Sequence, residues 1–219
     1  VQDEKLDSAD AEIEQIWQLE QARRGVALHN NPILVYQSHT PQAIQTQWMS
    51  YRRYCAYQLN PALFHSPCPM PLAVTGVVFY NNMLLWGQRA QTVTQYPNFW
   101  ELVPSGSLDM GCIQANGRVN YKGQLLQELQ EEAGIVQSAL ESTRVLGLLW
   151  DPTTQVYDIA VELCLQASVA CPELRSSAEY PVLQWVAVQN LEAFFRAHPQ
   201  AIVPTSKALA QHVAYKREL

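Results

Sequence analysis

Apolar residues recur along this 219-residue chain with two different periods, and the change of period divides it. Over residues 8–24 they return every three to four positions, with Ile13, Ile16, Trp17 and either Leu19 or Glu20 on one side. This spacing predicts a helix ending at Gly25, a residue that readily takes the left-handed conformation at a helix end. Residues 32–37 read as a short strand. A second helix is expected from Thr40-Pro41, a cap followed by a proline in the first helical position, as far as Leu59. The prolines at 61, 67, 69 and 71 suit neither helix nor central strand. They mark a boundary between an α/β N-terminal accessory portion, residues 1–70, and a larger unit, residues 71–219.

From Leu72 the pattern turns to strands. Residues 72–80 are apolar and β-branched, Asn81-Asn82 is turn material, and residues 83–89 form the second arm of a hairpin. Residues 145–150 and 156–166, separated by Asp151-Pro152-Thr153-Thr154, are apolar enough to be central strands. A further strand at 183–188, a short helix at 191–197 and a closing helix at 205–217 complete the chain. The expected class is α/β: a mixed sheet with helices on both faces.

Composition narrows the function. With 48% apolar and 16% charged residues the chain fits a globular protein with a sizeable core. A net charge of -6 argues against a protein that grips nucleic acid, which needs a basic face. No apolar run approaches a membrane span, and the polar, acidic residues 1–10 do not resemble a secretory signal, so a cytoplasmic location without membrane contact is expected. The five cysteines are odd in number and form no Cys-x-x-Cys pair, and the five histidines are scattered, which argues against structural zinc and a disulfide framework.

The most informative segment is Gln127-Glu-Leu-Gln-Glu-Glu-Ala-Gly-Ile135. On a helix Glu128, Glu131 and Glu132 fall within an arc of roughly 100°, beside an apolar stripe of Leu125, Leu126, Leu129 and Ala133. Such like charges repel by about 0.2–0.5 kcal/mol per pair, and a hard cation with oxygen ligands would relieve them. A solvated acidic face has the same pattern. Upstream, Asn98-Phe-Trp-Glu-Leu-Val-Pro-Ser-Gly-Ser-Leu-Asp109 is a strand that stops at Pro104 and turns at Gly106.

Strand, glycine turn, loop and acidic helix together resemble the Nudix hydrolase signature: glycine, five residues, Glu, seven residues, then Arg-Glu-apolar-x-Glu-Glu-x-Gly-apolar. The helix half matches at Glu128, Leu129, Glu131, Glu132, Gly134 and Ile135, while Gln127 replaces the signature arginine. Gly106 to Glu128 spans 22 positions where the signature spans 15, so the loop around residues 111–117 carries seven extra residues. Counted back from Gln127, the first signature Glu falls on Val119. The resemblance covers about two-thirds of the chain, from Leu72 to Glu218, and implies a Nudix-type α/β/α sandwich after the small α/β N-terminal portion.

The resemblance implies Mg²⁺ or Mn²⁺ as cofactor, held by Glu128 and Glu132, with Glu131 in a second-ion or outer role and the Ser105 or Gly106 carbonyl as a further ligand. It implies hydrolysis of a nucleoside diphosphate linked to another moiety, such as the nucleotide-sugars ADP-ribose or UDP-glucose. The general base would come from the loop ahead of Trp185, where Glu173 and Glu179 are candidates, the alternative for both being a solvated loop acid. Arg89 is either a phosphate contact or an exposed strand-end charge. Arg52-Arg53-Tyr54 are explained by packing with snorkelling or by a substrate clamp, and a homodimer is possible on the same resemblance. Gln127 and Val119 keep a rival reading open, a nucleotide-binding or regulatory module with little or no catalysis. An isomerase of prenyl diphosphates on the same fold would have to use Cys112 as its thiol.

Overall fold

A computed structural model describes residues 10–25, 28–64, 68–168 and 170–217. Ser8 and residues 65–67 of the proline-rich segment lie outside the described residues. Helix α1 spans Asp10–Arg24 and turns out at Gly25 (φ 68°), burying Ile13, Trp17 and Glu20 while Leu19 is exposed. Glu20 is tolerated inside because both its oxygens accept hydrogen bonds from Arg23 at 2.7 Å.

The segment from Thr40 to Leu59 departs from the expected single helix. Strand β1 (Pro32–His39) turns into β2 (Ile44–Ser50), and only Tyr51–Leu59 forms helix α2. Thr40 does not cap a helix: its hydroxyl accepts from the Gln42 and Ala43 amides and closes the hairpin turn. Ser50 is the cap instead, accepting from Arg53 N–H at 3.3 Å. The alternation Ile44, Thr46, Trp48 is the period-2 signal that the Thr-Pro pair masked.

Strand β3 (Met70–Tyr80) is the spine. Asn81 and Asn82, both at positive φ (44° and 64°), form the tight turn into β4 (Met83–Gln88). The remaining strands are β5 (Trp100–Leu102), β6 (Ser105–Ser107), β7 (Leu140–Asp151), β8 (Val156–Leu165) and β9 (Val182–Ala187). Among the described residues these nine strands join in one mixed sheet, with β3–β8 parallel and the other ladders antiparallel. β8 is central, between β3 and β7, as expected. β7 pairs with β8 alone and is an edge strand: apolar content did not make it central, and Val145 and Trp150 stay about half exposed.

Alternate residues of β3 feed two cores. Val74 and Val78 pack with Leu125 and Leu129 of α3 (Tyr121–Ala133), whereas Val77 and Phe79 pack with Phe194 and Phe195 of α4 (Leu191–Ala197) and Leu209 and Val213 of α5 (Pro204–Arg217). The result is an α/β/α sandwich. The N-terminal hairpin joins it by backbone pairing of Val35 and Tyr36 with Pro71 and Met70. Among the described residues no helix is long and apolar enough to cross a membrane.

Candidate functional site

Three elements share one edge of β3: β1 at residues 70–71, β6 at residues 73–75 and β4 at residues 79–80. Where β1 and β6 part, a cleft of about 460 Å³ opens. Its walls include Ile33, Tyr51 and Tyr54 from the N-terminal portion and Ser105, Gly106, Glu128 and Glu179 from the sandwich.

The acids on α3 divide by helix geometry. Glu132 stands seven residues, close to two turns, from Leu125 and is buried with it. Glu128 flanks it half-buried, and Glu131 lies outside, exposed and accepting from Gln127 Nε2 at 2.8 Å. Ser105 N–H donates to Glu132 Oε2 at 3.1 Å, while Glu132 Oε1 is buried without a hydrogen-bond partner. Burial, reinforced by Glu179 and Glu128, pushes the Glu132 carboxyl up to about 10. Glu128 is raised for the same first reason, with Glu131, Glu179 and Asp109 adding and the 2.7 Å bond from Gln124 Nε2 opposing. Gly106 makes this approach possible, because a Cβ there would stand 2.5–2.8 Å from Glu128 side-chain atoms.

The helix is delimited by Asn120, whose side chain accepts from Gly123 N–H, and by Gly134 at φ 74°. The stretched loop is pinched off locally. Asn120 N–H bonds the Cys112 carbonyl at 2.7 Å, and residues 113–119 between them form a small closed turn bridged from Ile113 to Val119. These seven residues leave the rest of the loop at the signature's length. Counted forward from Gly106, the first signature acid therefore falls on Cys112, not Val119. Cys112 is buried, and its thiol donates to the Asp109 carbonyl at 2.7 Å. Cys112 and Gln127, both neutral, stand where the signature has a Glu and an Arg, so no charge is orphaned there.

Arg89 is not an exposed strand-end charge; it lines the cleft with its guanidinium already engaged. Its guanidinium bonds Glu101 closely, pairs with Glu179 at 3.0 Å, reaches Tyr180 OH at 3.2 Å and donates to the Gln95 carbonyl. Burial disfavours its charge, but Glu101, Tyr180 and Glu179 more than offset this and raise its pKa. Tyr180 OH also donates to Glu101 at 2.7 Å. Glu179 thereby faces the cleft held by Arg89, its pKa raised by burial against the pull of the arginine. Glu173 is exposed and does not line the cleft. Arg52 pairs with Glu14 at 2.5 Å and Arg53 lies over the Phe64 ring, so of that trio only Tyr54 lines the cleft.

Sequence reasoning passed over Glu101, Asp151, Asp158, Tyr96 and Tyr51, all of which line the cleft. The available signals were Glu101 inside the apolar run Phe-Trp-Glu-Leu-Val and Asp158 inside Val-Tyr-Asp-Ile-Ala-Val, each a charge in a buried strand. The lining holds five carboxylates against one arginine, which is committed to two of them. Such a cleft repels a phosphate unless a cation enters with it.

The donors fit a hard divalent cation in kind: desolvated Glu128 and Glu132 beside the β6 backbone, with one Glu132 oxygen lacking any donor. Among the described residues no three Asp, Glu, His or Cys side chains already stand as a closed ligand set, so backbone or water oxygens would complete the shell.

The sequence matches no protein-family model and no curated protein. Solved structures do match the fold. DR0079 from Deinococcus radiodurans shares 16% identity over 82% of this chain and 98% of its own, with a TM-score of 0.53. A bifunctional NMN adenylyltransferase/ADP ribose pyrophosphatase from Francisella tularensis, solved with AMP and a Mn ion, shares 14% over 76% of this chain and 47% of its own, at 0.55. The NUDIX domain of Shewanella oneidensis NrtR, solved with ADP ribose, shares 16% over 74% of this chain and 97% of its own, at 0.52. At these identities the likeness establishes a shared fold.

Proposed function

We propose that this chain, which has the Nudix fold, is a metal-dependent pyrophosphohydrolase acting on a nucleoside diphosphate linked to a second moiety, in particular a nucleotide-sugar such as ADP-ribose or UDP-glucose. The observation that carries this reading is the Glu128–Glu132 pair of α3 packed against β6, desolvated and short of positive charge, with Glu128 lining the cleft. Glu128 and Glu132, with the Ser105 or Gly106 carbonyl, would hold Mg²⁺ or Mn²⁺. When bound, such an ion neutralises diphosphate charge and lowers the pKa of a coordinated water.

The other steps belong to the chain's own groups. Gly106 lets the Glu128 carboxylate close on the β6 backbone. Glu179 takes the proton of the attacking water; its raised pKa makes it a better base than a solvated carboxylate, and Arg89 fixes its position. Glu131 acts from outside, on a second ion or through its neighbours. Glu173, exposed and away from the cleft, is the weaker candidate base.

One observation favours the rival reading of a nucleotide-binding module: among the described residues the Gln127 amide reaches Glu131 and braces no loop acid. A panel of ADP-ribose, UDP-glucose, dinucleoside polyphosphates and nucleoside triphosphates with Mg²⁺ or Mn²⁺ separates the two. Cleavage of a diphosphate linkage, lost in Glu132→Gln, is the expected result. Silence across the panel, with the same ligands still raising Tm, would replace the enzyme by the binding module.

A further inference from the structure

The cleft continues beyond the acids of α3. Ala73 pairs with Ser107 on one side and with Asp158 on the other. Residues paired across strands project to the same face, so Asp158, Ala73 and Ser107 form one row, with the smallest side chain in the middle. Two strand spacings, about 10 Å, separate Asp158 from β6. Gly106, one position along from Ser107, turns to the other face, where Glu128 meets it.

Asp158 lines the cleft and has no hydrogen-bond or ion-pair partner among the described residues. Its neighbour Asp151 is already engaged, accepting from Tyr96 OH at 2.5 Å and from Thr153 N–H at 2.8 Å. Thr92, Gln95 and Thr154 supply neutral hydroxyl and amide groups to the same cleft. A phosphate finds no free cationic side chain at this end, because the lining's one arginine is bound to Glu101 and Glu179. What this end can take is a neutral group rich in O–H donors.

We propose that Asp158 is a specificity-determining residue that accepts hydrogen bonds from the hydroxyls of a glycosyl unit, while the attached diphosphate lies on the β6 side of the cleft. The assignment rests on the diphosphate site proposed above, and a uniform ligand pair tests it without turnover. The probes are the uncleavable α,β-methylene analogues of ADP-ribose and UDP-glucose, compared with α,β-methylene ADP and UDP, titrated calorimetrically in Mg²⁺.

The native chain should bind a glycosylated analogue at least about tenfold more tightly than its unglycosylated partner, since an unpartnered acceptor lining the cleft discriminates for hydroxyls. Asp158→Ala should erase most of that margin and shift α,β-methylene ADP or UDP by less than about twofold. Asp158→Asn, which keeps one acceptor oxygen, should restore part of it. Equal losses for both ligands, no loss, or a native chain without the glycosyl preference would overturn the assignment. Tighter binding of an amine-bearing diphosphate ester than of the glycosylated analogues would also overturn it. A chain that cleaves nothing yet keeps an Asp158-dependent preference loses the proposed activity alone; one that cleaves diphosphates without the preference loses the Asp158 assignment alone.

Discussion

Two groups of carboxylates stand in and beside one cleft and are treated in opposite ways. Glu101 and Glu179 are clasped by Arg89 and Tyr180, and every strong charge in that cluster has a partner. Glu128 and Glu132, across the cleft, are desolvated with one backbone N–H and one glutamine between them. A buried carboxylate without a cation is costly. The first cluster is therefore charge-paired as folded, whereas the second has no cationic side chain beside it and, on the proposed reading, keeps its proton until a metal ion takes its place. In the proposed mechanism the clasped cluster sets position and the open one holds the metal.

The largest expected effects come from breaking this contrast on the open side. Glu132→Gln should lower kcat by about 10³-fold, a magnitude typical of losing a preorganised charge site. It should leave Tm unchanged or raised, because the amide removes a desolvated acid. A matching fall in Tm would mean that Glu132 is structural. On the clasped side the order reverses. Arg89→Met leaves Glu101 buried and unpaired, which costs about 3–5 kcal/mol. In a chain of this size that lowers Tm by roughly 6–20 °C, read by calorimetric melting. A stable Arg89→Met with only a raised KM would return Arg89 to a phosphate-binding role.

Gly106→Ala sharpens the comparison at smaller amplitude. The added Cβ displaces Glu128 and should weaken Mn²⁺ binding by about tenfold with little change in Tm; unchanged affinity would separate Glu128 from the ion. Asp158 gives a pH test. Burial first, then Glu101 and Asp151, raises its carboxyl to about 7, above an unfolded value of about 4. Its folded-state contribution is thus fully present below about pH 4 and is lost as pH rises through 7. Asp158→Asn stays neutral, so its Tm relative to the native chain should climb between pH 5 and pH 8; a flat difference would contradict the raised acid. The smallest effects belong to the exposed acids: Glu131→Gln and Glu173→Gln should change turnover by less than about threefold and leave Tm in place.

Local chemistry made much of the fold legible. Asn81-Asn82 announces its turn because both residues tolerate positive φ, and Gly134 announces the end of α3 for the same reason. Pro204 and the short apolar run at 191–197 mark the last two helices. The failures came where one local signal has two outcomes. Thr40-Pro41 suits a helix start and equally a hairpin turn, and only the pairing of β2 with β1 decides. Whether β7 is central or an edge depends on a neighbour that no local pattern names. At the site, the helix glutamates were readable as a group, but which of them faces inward depends on the phase of the helix against Leu125 and Leu129. Asp158, Glu101 and Tyr51 come from three distant segments, and their meeting is a property of the sheet.

The central claim is that Glu132 is held protonated until a cation displaces its proton. Metal binding at such a carboxyl must release that proton. Mn²⁺ titration calorimetry at pH 8 in buffers of different ionisation enthalpy counts it directly. The account predicts release of about one proton per Mn²⁺ bound in the native chain, and in Glu132→Gln no release together with at least about tenfold weaker binding. Equal proton counts and equal affinities in the two proteins would contradict it.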